Sequence, residues 1–272
     1  MIKSIKYLLI FAVLALMLQS CAKVAGVINE DDKNLVLDEA AAVELPEVSI
    51  PLVKTITTKQ AEIVNGQEFY SLLVERFKYD SKNRVTSYDY NNGNWVYEYT
   101  YDVANRVTGV AEDAGNYLVT YKYIYYKDRI VATSNRDGYS IFFDEKRRLG
   151  KIMPYGSPSS TQYLYDGRGN MTGKAYVLSS ETPPYGTHTF DDKKNPFSRV
   201  AGYNLHFNYL ATVNLKHEVL GNINNPLFAD NSTGVSIGTR TYTYNAGGYP
   251  LTSKTIYNDG KHVDYETYEY TQ

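Results

Sequence analysis

The nine residues Phe77-Lys78-Tyr79-Asp80-Ser81-Lys82-Asn83-Arg84-Val85 decide the fold, because they return. The order aromatic, any residue, aromatic, Asp, then Arg and an apolar residue recurs as Tyr99-Thr100-Tyr101-Asp102-Val103-Ala104-Asn105-Arg106-Val107. A shorter form runs from Tyr123 to Ile130. Further copies are Ile141 to Leu149 and Tyr163 to Met171, with a divergent copy at Thr189 to Asn195 and a last one at Tyr242 to Tyr249. The second aromatic of each copy falls at 79, 101, 125, 143, 165, 190 and 244. Most spacings are close to about 20 residues, the length of one β-hairpin with its turns and a period that signals a repeat architecture. The long interval before Tyr244 places an irregular insertion near residues 200–238.

Working outward, the flanking segments alternate with period two, the signature of half-buried strands. Trp95, Tyr97, Tyr99 and Tyr101 fall on one face, with Val96, Glu98 and Thr100 on the other. Tyr117, Val119, Tyr121, Tyr123 and Tyr125 repeat the arrangement. Between strands, Asn91-Asn92-Gly93-Asn94 is a hairpin turn, since Asn and Gly tolerate positive φ. The chain holds 28 Tyr against nine Phe and one Trp. Tyr suits a pleated, half-buried surface, with its ring packed and its hydroxyl hydrogen-bonded or wet. The predicted fold is all-β: stacked antiparallel hairpins forming a strongly curved open sheet or incomplete barrel over residues 51–272. The C-terminal strand Tyr265–Tyr270 is a candidate edge of that sheet.

Within each repeat the chemistry is structural first. An Asp after the last aromatic accepts hydrogen bonds from backbone N–H groups two or three residues on and sets the turn. A Gly or Asn four positions later supplies positive φ. The Arg of the next strand lies across tyrosine rings or pairs with Asp. Asp80, Asp102, Asp144 and Asp166 are about a hairpin apart, so they do not form a calcium site, which needs several converging oxygens.

The pattern aromatic-x-aromatic-Asp-x-x-x-Arg-apolar resembles the YD repeat of Rhs-type shell proteins and of a group of uncharacterised Bacteroidetes lipoproteins. The resemblance covers residues 70–257. It implies one β-hairpin per unit, with successive units extending a curved antiparallel sheet. The chain has too few units for a closed cocoon around a cargo chamber.

The N-terminus has a different texture. Lys3 and Lys6 precede an almost purely apolar run from Tyr7 to Leu18, followed by Leu18-Gln19-Ser20-Cys21. The run is shorter than the roughly 20 residues a membrane helix needs and suits a signal peptide spanning residues 1–20. Leu18, Ser20 and Cys21 resemble the lipobox of bacterial lipoproteins, which implies lipid on Cys21 and an outer-membrane location. Cys21 is the single cysteine of the chain, so no internal disulfide forms. Residues 21–50 read as a tether. Its acidic run Glu30-Asp31-Asp32 resembles a surface-export signal but sits further from the cysteine than such signals do. The periplasmic and the cell-surface face therefore both stay open.

The 28 Lys and Arg against 30 Asp and Glu give a net charge of −2, with no basic stripe, which argues against nucleic acid. No nucleophile elbow, metal-spaced His pair or phosphate loop occurs, so no catalytic residue, metal site or cofactor is expected. One stretch has ligand chemistry: Tyr88, Tyr90 and Trp95 beside a turn rich in Asn, where flat rings suit sugar faces. The same three residues equally suit the interior face of a sheet. The sequence thus points to a non-enzymatic binding or scaffold lipoprotein of the cell envelope, held to the membrane by lipid, with a glycan or an envelope protein as partner. Its rivals are a carbohydrate hydrolase and a purely structural envelope component.

Overall fold

The computed structural model describes residues 51–135, 137–146, 148–177, 188–197, 223–230 and 236–271. Cys21, the tether and most of the insertion lie outside the described residues. Among the described residues the chain forms strands and no helix. The N-terminal half runs β1 (Val53–Val64), β2 (Gln67–Tyr79), β3 (Val85–Tyr90), β4 (Trp95–Tyr101), β5 (Val107–Asp113), β6 (Leu118–Tyr125) and β7 (Arg129–Thr133). It continues with β8 (Gly138–Phe143), β9 (Leu149–Pro154), β10 (Ser160–Tyr165) and β11 (Met171–Val177). Then follow β12 (Phe228–Asp230), β13 (Ser236–Tyr244), β14 (Pro250–Tyr257) and β15 (His262–Tyr270).

All fifteen strands belong to one sheet, in the order β11 back to β1, then β15 back to β12. Every pairing is antiparallel. β1 joins the first strands to the last: Ile56 opposes Tyr268 and Thr58 opposes Glu266. The C-terminal strand is therefore paired on both sides, by β1 and by β14, and is not an edge. Local alternation cannot reveal this, because the partner strand lies at the other end of the chain.

The edges of the order are β11 and β12, and residues 188–190 stand between them. The His188 N–H donates to the Thr172 carbonyl on β11, and the Leu227 N–H donates to the Thr189 carbonyl, each at 2.9 Å. Phe190 forms an antiparallel bridge with Pro226. The result is an open sheet bent on itself, an incomplete barrel whose seam is covered by a short segment. Covering the seam satisfies edge N–H and C=O groups that otherwise invite pairing with another chain.

The repeat turns all stand at one end of the sheet. In the first copy, Asp80 Oδ1 accepts from the N–H groups of Lys82 and Arg84, at 2.9 and 3.0 Å. Asp80 Oδ2 accepts from Arg84 Nε at 2.7 Å. The acceptor thus spans two and four residues. The positive φ falls three residues after the Asp, at Asn83 and Asn105 and at Gly169, not four. Asp102 and Asp144 hold Arg106 and Arg148 in the same way. At Asp166 the fourth position is Asn170, whose Nδ2 donates to Oδ2 at 3.0 Å. The third copy lacks one residue and makes a tighter turn, closed by the Tyr126 N–H on the Arg129 carbonyl.

Each repeat is tied to the next. Arg84 lies over the Tyr101 ring at 4.5 Å, Arg106 over Tyr125 at 4.6 Å and Arg148 over Tyr165 at 4.1 Å. The same tyrosines donate to carbonyls one repeat back: Tyr101 to Val85 at 2.7 Å, Tyr125 to Val107 and Tyr165 to Leu149 at 2.9 Å. Tyr79 reaches Val53, and Tyr270 reaches Pro250. This explains the bias towards Tyr over Phe at the second aromatic position. The ring packs, and the hydroxyl satisfies a carbonyl beside the strand bulge. A net gain of about 1 kcal/mol per bond is typical.

The divergent sixth copy is a split turn. Asp191 Oδ1 accepts from the Lys193 N–H, but its second backbone donor is Asn225, at 3.0 Å. The Asp191 N–H in turn donates to the Asn225 carbonyl. The insertion expected near 200–238 therefore begins inside the turn and returns at Asn225. An eighth junction is assembled from the residue before β1 and the residue after β15. The Thr271 N–H donates to the Leu52 carbonyl at 2.8 Å, and the Leu52 N–H donates to Thr271 Oγ1 at 3.0 Å. Thr271 stands where other repeats have Asp, and Leu52 where they have Arg.

The inner face carries the core, including Phe77, Tyr88, Tyr97, Tyr99, Val110, Tyr123, Ile141 and Ile152, all buried. Phe197, from beyond the split turn, packs against Phe77 with ring centroids 5.3 Å apart. The outer face is mixed: Arg76, Lys78, Lys122, Lys254 and Glu269 are exposed on it, and so are Tyr70, Leu72, Leu118, Ile256 and Tyr265.

Candidate functional site

At the end opposite the repeat turns, the inner face passes from buried to half-exposed. Along β2, Phe77, Glu75 and Leu73 are buried, whereas Ser71 and Phe69 are exposed. Around this mouth Tyr90, Trp95, Tyr117 and Tyr139 are half-buried and pack against the core. Tyr90 and Trp95 are directly paired across β3 and β4. The turn that joins them is fixed by Asn92, whose Oδ1 accepts from the Val74 N–H and whose Nδ2 donates to the Leu72 carbonyl. Asn91, Asn92 and Gly93 all have positive φ there, a conformation that Asn and Gly adopt at least cost.

Behind the rings stand carboxylates. Glu75 is fully buried and accepts from the Tyr88 hydroxyl at 2.6 Å. Glu112 is 7% exposed and lies opposite Tyr97. Burial, and then the Glu112 charge, raise the pKa of Tyr97. Burial, then Asp137 and Glu112, raise that of Tyr121. Tyr90 is raised by burial and by Glu75. These tyrosines stay protonated, which suits them as hydrogen-bond donors to neighbouring carboxylates. At the rim the Tyr139 hydroxyl donates to Asp137 at 2.8 Å.

A second polar group continues the inner face on the C-terminal strands. Glu266 accepts from Ser253 Oγ at 2.6 Å and from the Tyr268 hydroxyl at 2.7 Å. Arg240 Nε donates to Thr255 Oγ1 at 2.8 Å. Burial by itself lowers the Arg240 pKa, but Glu266, with Tyr242 and Tyr268, holds it above its ordinary value. Asp264 accepts from the Tyr257 hydroxyl at 2.9 Å. Thr58, fully buried on β1, lies opposite Glu266. Among the described residues its hydroxyl has no hydrogen-bond partner. Nor do the described residues include a group of three or more His, Cys, Asp or Glu able to hold a metal ion.

The three aromatics singled out in the sequence are brought together but play different parts. Tyr88 is a core residue, stacked between Phe77 at 4.8 Å and Tyr97 at 5.6 Å. Tyr90 and Trp95 stand at the mouth. Tyr117, Tyr139, Glu75 and Glu112 join them from other strands, and sequence inspection did not single these out as site residues. Glu75 had a usable signal, because it shares the parity of Phe77 and Tyr79 and so had to point inward. Chemically, the mouth offers ring faces for stacking and carboxylates for accepting hydrogen bonds.

No family model matches the chain, and no curated protein matches it. Among solved structures it resembles a porin-like protein from Bacteroides uniformis ATCC 8492, at 12% identity and a TM-score of 0.35, covering 80% of this chain and 96% of that one. A porin-like protein from Bacteroides vulgatus ATCC 8482 aligns at 12% identity and a TM-score of 0.34, covering 82% and 99%. Among the described residues the fold defines the class: an all-β, antiparallel repeat sheet bent into an incomplete barrel.

Proposed function

We propose that this chain is a lipid-anchored protein of the outer membrane whose YD-type repeat domain binds saccharide at its aromatic mouth without turning it over. The observation that carries this reading is the arc of Tyr90, Trp95, Tyr117 and Tyr139, half-exposed on the inner face. Flat rings stack on the apolar faces of pyranoses, and the exposed Asp137 carboxylate at the rim, which accepts from Ser134 and Tyr139, has further lone pairs for hydroxyl groups. The outer wall supports a water-exposed domain. Transmembrane barrels carry a continuous apolar outer band, whereas here the exposed Tyr70, Leu72, Leu118, Ile256 and Tyr265 are interrupted by the outward charges of Arg76, Lys78, Lys122, Lys254 and Glu269. Attachment then falls to lipid on Cys21, with residues 22–50 as the tether.

A glycan array probed with the mature chain tests the binding reading. Saccharide binding that weakens about tenfold in Trp95→Ala, the loss of one stacked ring, is the expected result. Silence across the array, or binding untouched by that substitution, overturns it. Anchoring is tested separately by Cys21→Ser, which should move the protein from the membrane to the soluble fraction and abolish labelling by radioactive palmitate.

A further inference from the structure

We infer that β2 pairs with β2 of a second copy of this chain through Gln67–Ser71, an antiparallel contact centred on Phe69 that makes a symmetric dimer. Its ground is an overhang. On one side β1 pairs with β2 without a register break from Arg76 to Gln67. On the other side β3 pairs with it only from Arg76 to Tyr79. Asn92 extends that cover by one step. Its N–H donates to the Val74 carbonyl, its Oδ1 accepts from the Val74 N–H, and its Nδ2 donates to the Leu72 carbonyl. Beyond Leu72 no strand among the described residues pairs with this side of β2. Parity identifies the groups left over. Asn65 and Gly66 form a two-residue turn with positive φ at both positions, which makes Val64 and Gln67 a hydrogen-bonded pair. Gln67, Phe69 and Ser71 therefore aim N–H and C=O at β1, whereas Glu68 and Tyr70 aim theirs outward. Val74, turned towards Asn92, has the same parity as these two.

Such an edge is a template for a further strand unless Lys, Pro or a covering segment blunts it. The edges at β11 and β12 are covered by residues 188–190, but Gln67–Ser71 contains no Lys, Arg or Pro. Its one charge, Glu68, is paired with Lys59, which also lies 4.6 Å over the Tyr70 ring. Phe69 and Tyr70 are 57% and 61% exposed and stand on opposite faces of the strand. A strand that fits here must be apolar on both faces and carry no excess charge. Gln67–Ser71 is itself such a strand. Antiparallel pairing centred on Phe69 sets Glu68 opposite Tyr70 and Gln67 opposite Ser71, with no like charges opposed. The N–H and C=O groups of Glu68 and Tyr70 are then all used. Phe69 meets its twin at a non-hydrogen-bonded position, where side chains come closest. A contact this short lies below the standard interface size, so a reversible dimer with Kd on the order of 10 µM is expected.

Sedimentation equilibrium of the full mature chain, kept reduced and spanning about 1 to 200 µM, tests this and should show monomer and dimer in exchange. Phe69→Lys opposes two ammonium groups at the centre of the contact. Tyr70→Pro removes an outward N–H and no bond to β1. Each should weaken the dimer at least about tenfold while the β-sheet circular dichroism stays unchanged. Oxidation reads the register. With Cys21→Ser in the background, Phe69→Cys should give a disulfide-linked dimer, because the opposed Cα atoms lie within disulfide reach. Ser71→Cys, displaced from its own twin along the strand, should give none. A chain that stays monomeric across the range, as it would if the edge took a strand from a different protein, overturns the inference. So does a dimer indifferent to both substitutions, or equal cross-linking at positions 69 and 71. Should either substitution unfold the chain, the two cysteine variants decide.

Discussion

Asn225 closes the turn that Asp191 opens, from thirty-four residues away along the chain. Its N–H occupies Asp191 Oδ1 and its Nδ2 donates to Oδ2 at 3.1 Å, the arrangement that Asn170 makes with Asp166 within one turn. The Tyr244 hydroxyl donates to the same carboxylate. One side chain thereby holds the seam of the sheet, the root of the insertion and the start of the last hairpin pair.

Asp191→Ala should consequently cost more than the same change in a continuous turn. Losing hydrogen bonds to a charged acceptor removes about 2–3 kcal/mol, and here no short covalent loop keeps the partners together. Asp166→Ala should cost less. Asn225→Ala added to Asp191→Ala should be far from additive, since both remove one interaction. Urea unfolding of the four proteins measures this.

The start of the first strand and the end of the last strand make a turn-like junction between residues remote in sequence. Truncation after Tyr270 removes Thr271 and with it both hydrogen bonds to Leu52, one to its carbonyl and one from its N–H to the Thr271 hydroxyl. A loss of about 1–2 kcal/mol is expected for two such bonds, together with faster amide exchange at Leu52 and Val53. Unchanged exchange there would show that the terminal junction does not hold β1 in place.

The contact between repeats is separable into charge and hydroxyl. A double-mutant cycle between Arg84 and Tyr101 should return a coupling of about 1 kcal/mol for the stacked guanidinium. Tyr101→Phe keeps the ring and removes only the bond to the Val85 carbonyl, at about 1 kcal/mol. Arg84→Lys keeps the charge but loses the planar fork that reaches Asp80, and should fall between wild type and Arg84→Ala.

Stability should fall at both extremes of pH. For Asp80, Asp144 and Asp166, burial by itself raises the pKa, but hydrogen bonds and, at Asp80 and Asp144, the paired Arg outweigh it and the net shift is downward. A carboxyl that is more acidic folded than unfolded adds stability at neutral pH. That contribution fades as pH drops below about 4, through the folded values. Tyr101, Tyr125 and Tyr165 are shifted upward, chiefly by burial, with the stacked Arg opposing it. Their contribution is complete below about pH 10 and is lost as pH rises through the folded values. In an alkaline titration, tyrosinate absorbance from these residues should appear together with the loss of β-sheet circular dichroism and not before it.

The sequence alone determined the local unit. Alternation told which side chains of β4 and β6 face inward, and the aromatic-x-aromatic-Asp pattern located the turns, because strand parity and turn chemistry act within a few residues. It also brought out Tyr90 and Trp95 beside their Asn-rich turn. Tertiary structure alone decided the rest. Pairing of β1 with β15, the turn shared by Asp191 and Asn225, and the junction of Thr271 with Leu52 join residues remote in the chain, and no local period marks such pairs. The candidate site has the same origin. Glu75, Glu112, Tyr117 and Tyr139 come from separate hairpins, and only the bending of the sheet gathers their side chains around one mouth.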